Sequence, residues 1–293
     1  MRHRLVRVSE PLDLRRTLAP ATMAWGRFLP DGWWRPMRTP EGPATLHIRR
    51  TPDGVVGSVW GAGSDWILDR LPSWIGMEDD PGAFVTAHVG VAELHRRHMG
   101  VRFCRTGLVF EAVAYAVVSQ KVTGKEARAG LAGMVERFSD PAPGPLGLRL
   151  PPDPERVAAA PYHEFHDLGI EKRRTDTLRR LAADAARLET LASIPAPEAR
   201  RMLERVAGVG TWTSAETVAV THGDPDAVSV GDFHLKHYVC WHLAGEARGT
   251  DARMLDLLEQ FRPHRARVVR LLEMAGPYPR FGPRRPIRSF ARY

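Results

Sequence analysis

The residue whose type and setting best suit chemistry is Asp232. It closes a polar loop, His222-Gly223-Asp224-Pro225-Asp226-Ala227-Val228-Ser229-Val230-Gly231, and opens an amphipathic helix predicted over 233–243. A short acid at a helix start is held rigidly, so its carboxylate can stabilise positive charge developing beside it and orient a water. The same position is where aspartates commonly cap helices; the two roles coexist only if one oxygen stays free. Asp224 and Asp226 raise the alternative of paired carboxylates, but they flank Pro225 in a turn-forming stretch, and turn chemistry accounts for both. Lys236, four residues after Asp232, reads as a solvated partner of a carboxylate one turn away rather than as an amine nucleophile. The pairs His95/His98 and His234/His237 lack a partner motif for metal binding.

The second informative stretch is Leu203-Glu204-Arg205-Val206-Ala207-Gly208-Val209-Gly210-Thr211-Trp212-Thr213. A helix runs into Gly-Val-Gly and another leaves it. Gly208 and Gly210 permit positive φ and close approach of another backbone. The amides from about Gly210 onward open a helix and have no partner within it, so with the helix dipole they form an anion site suited to a phosphate. Taken alone, Gly-x-Gly between helices also fits an ordinary C-cap and turn.

These residues need elements to hold them. Residues 33–39, 44–50 and 55–60 are candidate strands separated by Pro40-Glu41-Gly42-Pro43 and Pro52-Asp53-Gly54, too close together for parallel crossovers, so an antiparallel meander is expected. Leu46 and Ile48 share one face, with Thr45, His47 and Arg49 on the other. From about Pro81 the period becomes helical. Phe84, Val85, Val91 and Leu94 predict a helix ending near Gly100. Helical spacing recurs in Phe110–Val118, Ala127–Phe138, and 175–191, 197–206, 212–221, 233–243, 252–260 and 265–274. Residues 141–154 read as a Pro- and Gly-rich loop, and the last residues, Pro277–Tyr293, with five arginines, four prolines and no acid, as an irregular basic tail. The expected division is 1–100, a β-rich domain; 101–276, a helical domain; and 277–293, the tail.

With 293 residues the chain is long enough for a sizeable core, and its formal charge of +8 points to a polyanionic partner, nucleic acid first. Two cysteines, Cys104 and Cys240, supply neither a disulfide framework nor the four ligands of an iron–sulfur cluster. No apolar run is long enough to span a membrane or to serve as a signal peptide core, so a cytoplasmic, nucleoid-associated location is expected.

Together these motifs resemble the helix-hairpin-helix DNA glycosylases, which share a hairpin of the form of Val206-Ala207-Gly208-Val209-Gly210 and an essential aspartate about two dozen residues later, matched by Asp232. Gly210-Thr211-Trp212-Thr213 and Asp232-Phe233-His234-Leu235-Lys236 are similar to the 3-methyladenine DNA glycosylase II branch. So are Phe110-Glu111 through Ser119-Gln120-Lys121-Val122, Leu168-Gly169-Ile170 before Lys172-Arg173, and Phe261-Arg262-Pro263-His264-Arg265. The similarity covers roughly Phe110 to Met274 and extends loosely to the front, which in that family is a small sheet of the TATA-binding-protein kind. The implied class is α+β, mostly α.

The resemblance implies a monomeric enzyme of base excision repair that binds double-stranded DNA, flips a damaged base out and hydrolyses its N-glycosidic bond, with alkylated purines such as 3-methyladenine as substrates. Asp232 is then catalytic. Gly208, Gly210, Thr211, Thr213, Gln120 and Lys121 are DNA-binding, and Trp212 and Glu216 belong to the base pocket. Bifunctional relatives carry a lysine where Trp212 stands, and an indole cannot form their Schiff base, so base removal without strand cleavage is expected. Two positions depart from the pattern. Lys121 stands where an apolar wedge is usual, and either wedges or binds phosphate. Glu216 stands where an aromatic stacks on the base; Tyr115 and Phe233 read as core. No cofactor is required, although backbone oxygens of Glu204, Val206 and Val209 match a sodium or potassium site at the hairpin. Arg173, Arg174, Arg179 and Arg180 are candidate phosphate contacts. The alternative is a non-catalytic DNA-binding protein of the same fold.

Overall fold

The computed structural model describes residues 1–279; the expected basic tail lies almost wholly outside the described residues. The chain opens with a five-stranded antiparallel sheet and continues almost entirely in helices, the α+β class expected from sequence. The meander is β3 (Gly32–Thr39), β4 (Gly42–Thr51) and β5 (Gly54–Gly61). Two edge strands complete it, β1 (Arg2–Val6) against β5 and β2 (Arg27–Leu29) against β3, for an order β1-β5-β4-β3-β2. Both edges lack a sequence signal: β1 is mostly exposed and basic, as edge strands often are, and β2 has three residues.

Leu46 and Ile48 point, as their alternation requires, into a core shared with Trp33, Met37, Val59, Leu18, Ile67, Leu71 and Trp74. The opposite face, which carries Thr45 and His47, is also covered. Trp34 stacks between His47 and Trp60, with ring centroids 4.1 and 5.2 Å apart, and Thr45 and His47 are buried. The segment 141–154 lies over this face, with Pro143 against Gly61 and Gly144 against Trp60 and Thr45. Arg38 anchors its ends by ion pairs to Asp140 (2.9 Å) and Asp153 (3.1 Å) and a bond to the Pro151 carbonyl (3.0 Å).

The predicted helix from Phe84 to Gly100 is shorter than its pattern. Phe84 leaves a 3₁₀ turn, Pro81–Ala83, in extended backbone, and the helix is Val89–Arg97, started by His88, whose Nδ1 accepts from the Val91 amide at 3.3 Å. Val85 and Val89 are exposed, so the apolar spacing that suggested an earlier start is not a buried stripe.

The helix Val109–Val118 runs through the centre of the second core, packed by Leu131, Met134, Phe165, Leu178, Leu203, Ala215 and Val218. Two acids fix it, one buried and one half-buried. Glu111 pairs with Arg35 of β3, which also donates to the Ala21 carbonyl (2.5 Å) and the Pro36 carbonyl (2.9 Å). Burial pushes the Glu111 carboxyl up and the Arg35 guanidinium pulls it down. Breaking such a pair leaves a buried charge unpaired, so it ties sheet to helix in one orientation. Glu189 caps the helix from outside it, accepting from the Val109 (2.8 Å) and Phe110 (2.9 Å) amides. Burial pushes its carboxyl up to about 7 despite those two bonds.

Folding therefore favours the neutral form of Glu189, and the stability linked to it is full below the unfolded carboxylate range and lost as pH rises through about 7. Between pH 5 and 8 the Tm of the parent is expected to fall by roughly 3–6 °C more than that of Glu189→Gln. Parallel Tm curves for the two proteins in a pH-stepped melt would remove Glu189 as the cause.

Candidate active site

The hairpin consists of the helix Ala196–Leu203, a turn, and the helix Thr211–Thr221. Gly208 has φ +97°, and a Cβ there would fall on the Thr177 hydroxyl. The turn is braced from two sides. Arg180 donates to the Ala207 carbonyl at 2.6 Å, joined by Thr177 Oγ1 at 3.4 Å. Gln120 Nε2 donates to the Gly208 carbonyl (3.0 Å) and to Thr213 Oγ1 (2.8 Å). The first bond within the second helix runs from the Ser214 amide to the Gly210 carbonyl (2.9 Å), so the amides of Thr211, Trp212 and Thr213 precede the helical ladder and stand at the positive end of the helix.

The side chains around the hairpin divide differently from their sequence reading. Thr211 is exposed, but Thr213 is 2% exposed and bonded to Gln120, so it can offer DNA its amide but not its hydroxyl. Gln120 spends its amide NH₂ on the hairpin. Lys121 is exposed at the apex of the turn after Val109–Val118, with φ +54°, a conformation non-glycine residues seldom adopt. Of the four arginines offered for phosphate, three donate to carbonyls, Arg180 from an exposed position. Arg174 is 3% exposed and bonds Val118 and Gly169, Arg179 bonds Ala158, and Arg180 bonds Ala207. Arg173 lines an open groove beside the turn with Lys172, Asp176, Thr177, Arg180, Ala207 and Gly208. Glu204, offered for a backbone cation site, uses its side chain to accept from Ser214 Oγ (2.6 Å), and the Val206 carbonyl accepts the Val209 amide (2.9 Å).

Asp232 follows Gly231 (φ +93°) and precedes the helix Leu235–Ala244, which starts two residues later than predicted. Its Oδ1 accepts from the His234 (2.7 Å) and Leu235 (2.9 Å) amides. Among the described residues its Oδ2 meets Trp212 Nε1, at 3.3 Å, a long bond. One oxygen thus caps the helix, and the other faces Trp212 at the start of the hairpin's second helix. Lys236 pairs with Asp251 at 3.5 Å rather than with Asp232. Asp224 makes the expected turn, accepting the Asp226 amide at 2.8 Å, and Asp226 is held by Arg265 at 2.7 Å, so neither forms a pair with Asp232.

Glu216 lies one turn along from Trp212 on the same helix and accepts a hydrogen bond from Ser229 Oγ. Burial pushes its carboxyl up, the Ser229 bond pulls it down, and the Asp232 charge adds to the rise. Glu273, at the end of the helix Arg265–Leu272, completes a group of three acids. Its carboxyl is pushed up to about 7 by burial and then by the Glu216 and Asp232 charges. Tyr115 also faces Glu216, whose charge adds to burial in raising the phenol. Contrary to its reading as core, Phe233 is 63% exposed beside Asp232, whereas Tyr115 is half-buried and packs against the core as expected. Ser229 and Glu273 escaped sequence reasoning. Glu273 is far from the loop along the chain, and nothing local marks either residue. Among the described residues no group of three or more His, Cys, Asp or Glu is placed to hold a metal ion, and no helix is long and apolar enough to cross a membrane.

A family model for the HhH-GPD superfamily base excision DNA repair protein matches residues 114–263, which contain both hairpin and Asp232. Curated proteins give no match by sequence. Solved structures share the fold across nearly the whole chain. A 3-methyladenine DNA glycosylase from Archaeoglobus fulgidus aligns with TM-score 0.73 at 17% identity, covering 93% of this chain and 98% of its own. MBOgg1, in complex with a low-affinity DNA ligand, aligns with TM-score 0.73 at 14% identity over 94% and 100%. The 8-oxoguanine glycosylase/lyase of Clostridium acetobutylicum, bound to double-stranded DNA containing cytosine opposite 8-oxoguanine, aligns with TM-score 0.71 at 12% identity over 92% and 96%.

Proposed function

The chain belongs to the HhH-GPD superfamily of base excision DNA repair proteins, and we propose that it is a monofunctional DNA glycosylase acting on alkylated purines such as 3-methyladenine. The observation that carries this reading is the division of labour at Asp232. Oδ1 is spent on holding the residue in place, while Oδ2 stands beside Trp212 at the hairpin. The amides of Thr211 to Thr213 take a phosphate of the damaged strand, which brings the next sugars towards Asp232. The base leaves the duplex to reach the site.

As the C1′–N bond breaks, its electron pair leaves with the base and the sugar carbon becomes cationic. The Asp232 carboxylate stabilises that charge and orients a water, whose oxygen bonds to C1′ while its proton passes to solvent through the carboxylate. An alkylated purine already carries positive charge, departs as a neutral base and needs no further acid. The DNA-bound relatives support double-stranded DNA as partner.

Both hydrolysing and strand-cutting relatives share this fold, so the reaction type rests on position 212. Trp212 offers no amine for a Schiff base, and Lys236 is paired with Asp251. Methylated duplex DNA is expected to yield free base and abasic sites that break only on treatment with alkali. Borohydride should trap no covalent adduct. A trapped adduct would assign lyase chemistry, and absence of base release with intact duplex binding would leave a DNA-binding module.

A further inference from the structure

We propose that Glu216 is a positioning residue that clamps the Asp232 loop to the hairpin helix through Ser229, in place of an aromatic that would stack on the base. The inference rests on the reading of Asp232 given above. Two side chains one turn apart on the helix Thr211–Thr221 hold the two ends of one short turn. Trp212 Nε1 reaches Asp232 Oδ2 (3.3 Å), and Glu216 receives the Ser229 hydroxyl. Within the turn the Asp232 amide donates to the Ser229 carbonyl at 3.2 Å, so Ser229 is tied to Asp232 by backbone and to Glu216 by side chain. Gly231, at φ +93°, sits between these anchors and gives the turn its shape. A loop entering a helix would otherwise be the softest support for the acid, and an error of about 1 Å in such a group costs on the order of a hundredfold in rate.

The charge of Glu216 is not what the clamp needs. The Ser229 hydroxyl donates to one oxygen, and burial favours the uncharged acid. An uncharged acid and a glutamine amide each present one carbonyl oxygen in that place. Geometry, not electrostatic attraction to a cationic base, is therefore the contribution, and it should act on every substrate alike.

The test compares the parent, E216A, E216Q, S229A and E216A/S229A on two duplexes, one carrying cationic 7-methylguanine and one carrying neutral hypoxanthine, with Tm measured for each protein. E216A is expected to lower single-turnover base release ten- to a hundredfold on every lesion the parent processes, with half-saturation within about twofold. E216Q should recover the rate to within about threefold of the parent. S229A should match E216A, and the double variant should be no worse than either, because all three remove one hydrogen bond. S229A carries the test if E216A fails to fold. Failure of E216Q to recover, a loss confined to 7-methylguanine when the parent releases both bases, or additive losses in the double variant would each overturn the clamp. Absence of release by the parent on both duplexes would instead overturn the glycosylase reading.

Discussion

Asp232→Asn lowers the single-turnover rate of base release by about two to three orders of magnitude, with duplex affinity within about threefold of the parent. The substitution is close to isosteric and leaves the structural half of the residue intact. Asparagine is as good a helix cap as aspartate, so the amides of His234 and Leu235 keep their acceptor at Oδ1. What disappears is the negative charge beside the departing base's sugar, together with the long Trp212 bond, because the amide nitrogen that replaces Oδ2 cannot accept. Because the cap uses one oxygen that asparagine keeps, rate and stability should separate: Tm is expected to move by no more than about 2 °C. Measured release equal to the parent's would remove Asp232 from the chemistry. A large fall in Tm would show that Oδ2, through Trp212, holds the loop as well as serving the chemistry.

Gly208→Ala should cost about 3 kcal/mol of stability and at least tenfold in duplex affinity. Two effects add. The backbone holds φ at +97°, which strains any residue with a side chain. The new methyl also lands on Thr177, a branched side chain with no long stem to swing aside, whose hydroxyl is engaged with the Arg173 carbonyl at 3.0 Å. Relief of the clash must move the turn, and with it the Ala207 and Gly208 carbonyls on which Arg180 and Gln120 close. The amides that follow at Thr211 to Thr213 move too, hence the lost affinity. Thr177→Ala in the same chain removes part of the clash but not the strain, so it should restore some but not all of both losses. Urea unfolding and fluorescence anisotropy with a duplex across a salt series measure the two effects. Affinity unchanged in G208A, with a flat salt slope, would mean that phosphate is bound elsewhere.

Local rules made much of this legible before any coordinates. Alternation placed Leu46 and Ile48 on the inner face of the sheet, and the turn residues at 40–43 and 52–54 separated its three central strands. The Gly-Val-Gly hairpin, its two helices and the place of Asp232 before a helix were all readable, because a glycine at positive φ, which Gly208 is and Gly210 is not, and an acid before a helix are statements about the nearest few residues. Where the pattern misled, the burial was not local. Phe84 and Val85 have helical spacing, yet only Phe84 is buried, against Phe261 and His264 from far along the chain. Phe233 has the type of a core residue and sits exposed at the site.

Partner choice shows the same division. The acid nearest Lys236 in sequence is Asp232, but the amine reaches Asp251. Gln120, chosen for DNA, closes on the hairpin 88 residues away. Glu189 caps a helix that begins 80 residues before it, and Arg35 finds Glu111 at a separation of 76. The amino-acid sequence by itself determined the periodicities, the turns and the residue types at the hairpin and at position 232. Only the tertiary structure decided which oxygen of Asp232 is spent and that Ser229, Glu216 and Glu273 gather round it. A hydrogen bond or a raised pKa depends on distance and on excluded water, and neither exists until packing of the apolar cores has brought remote segments together.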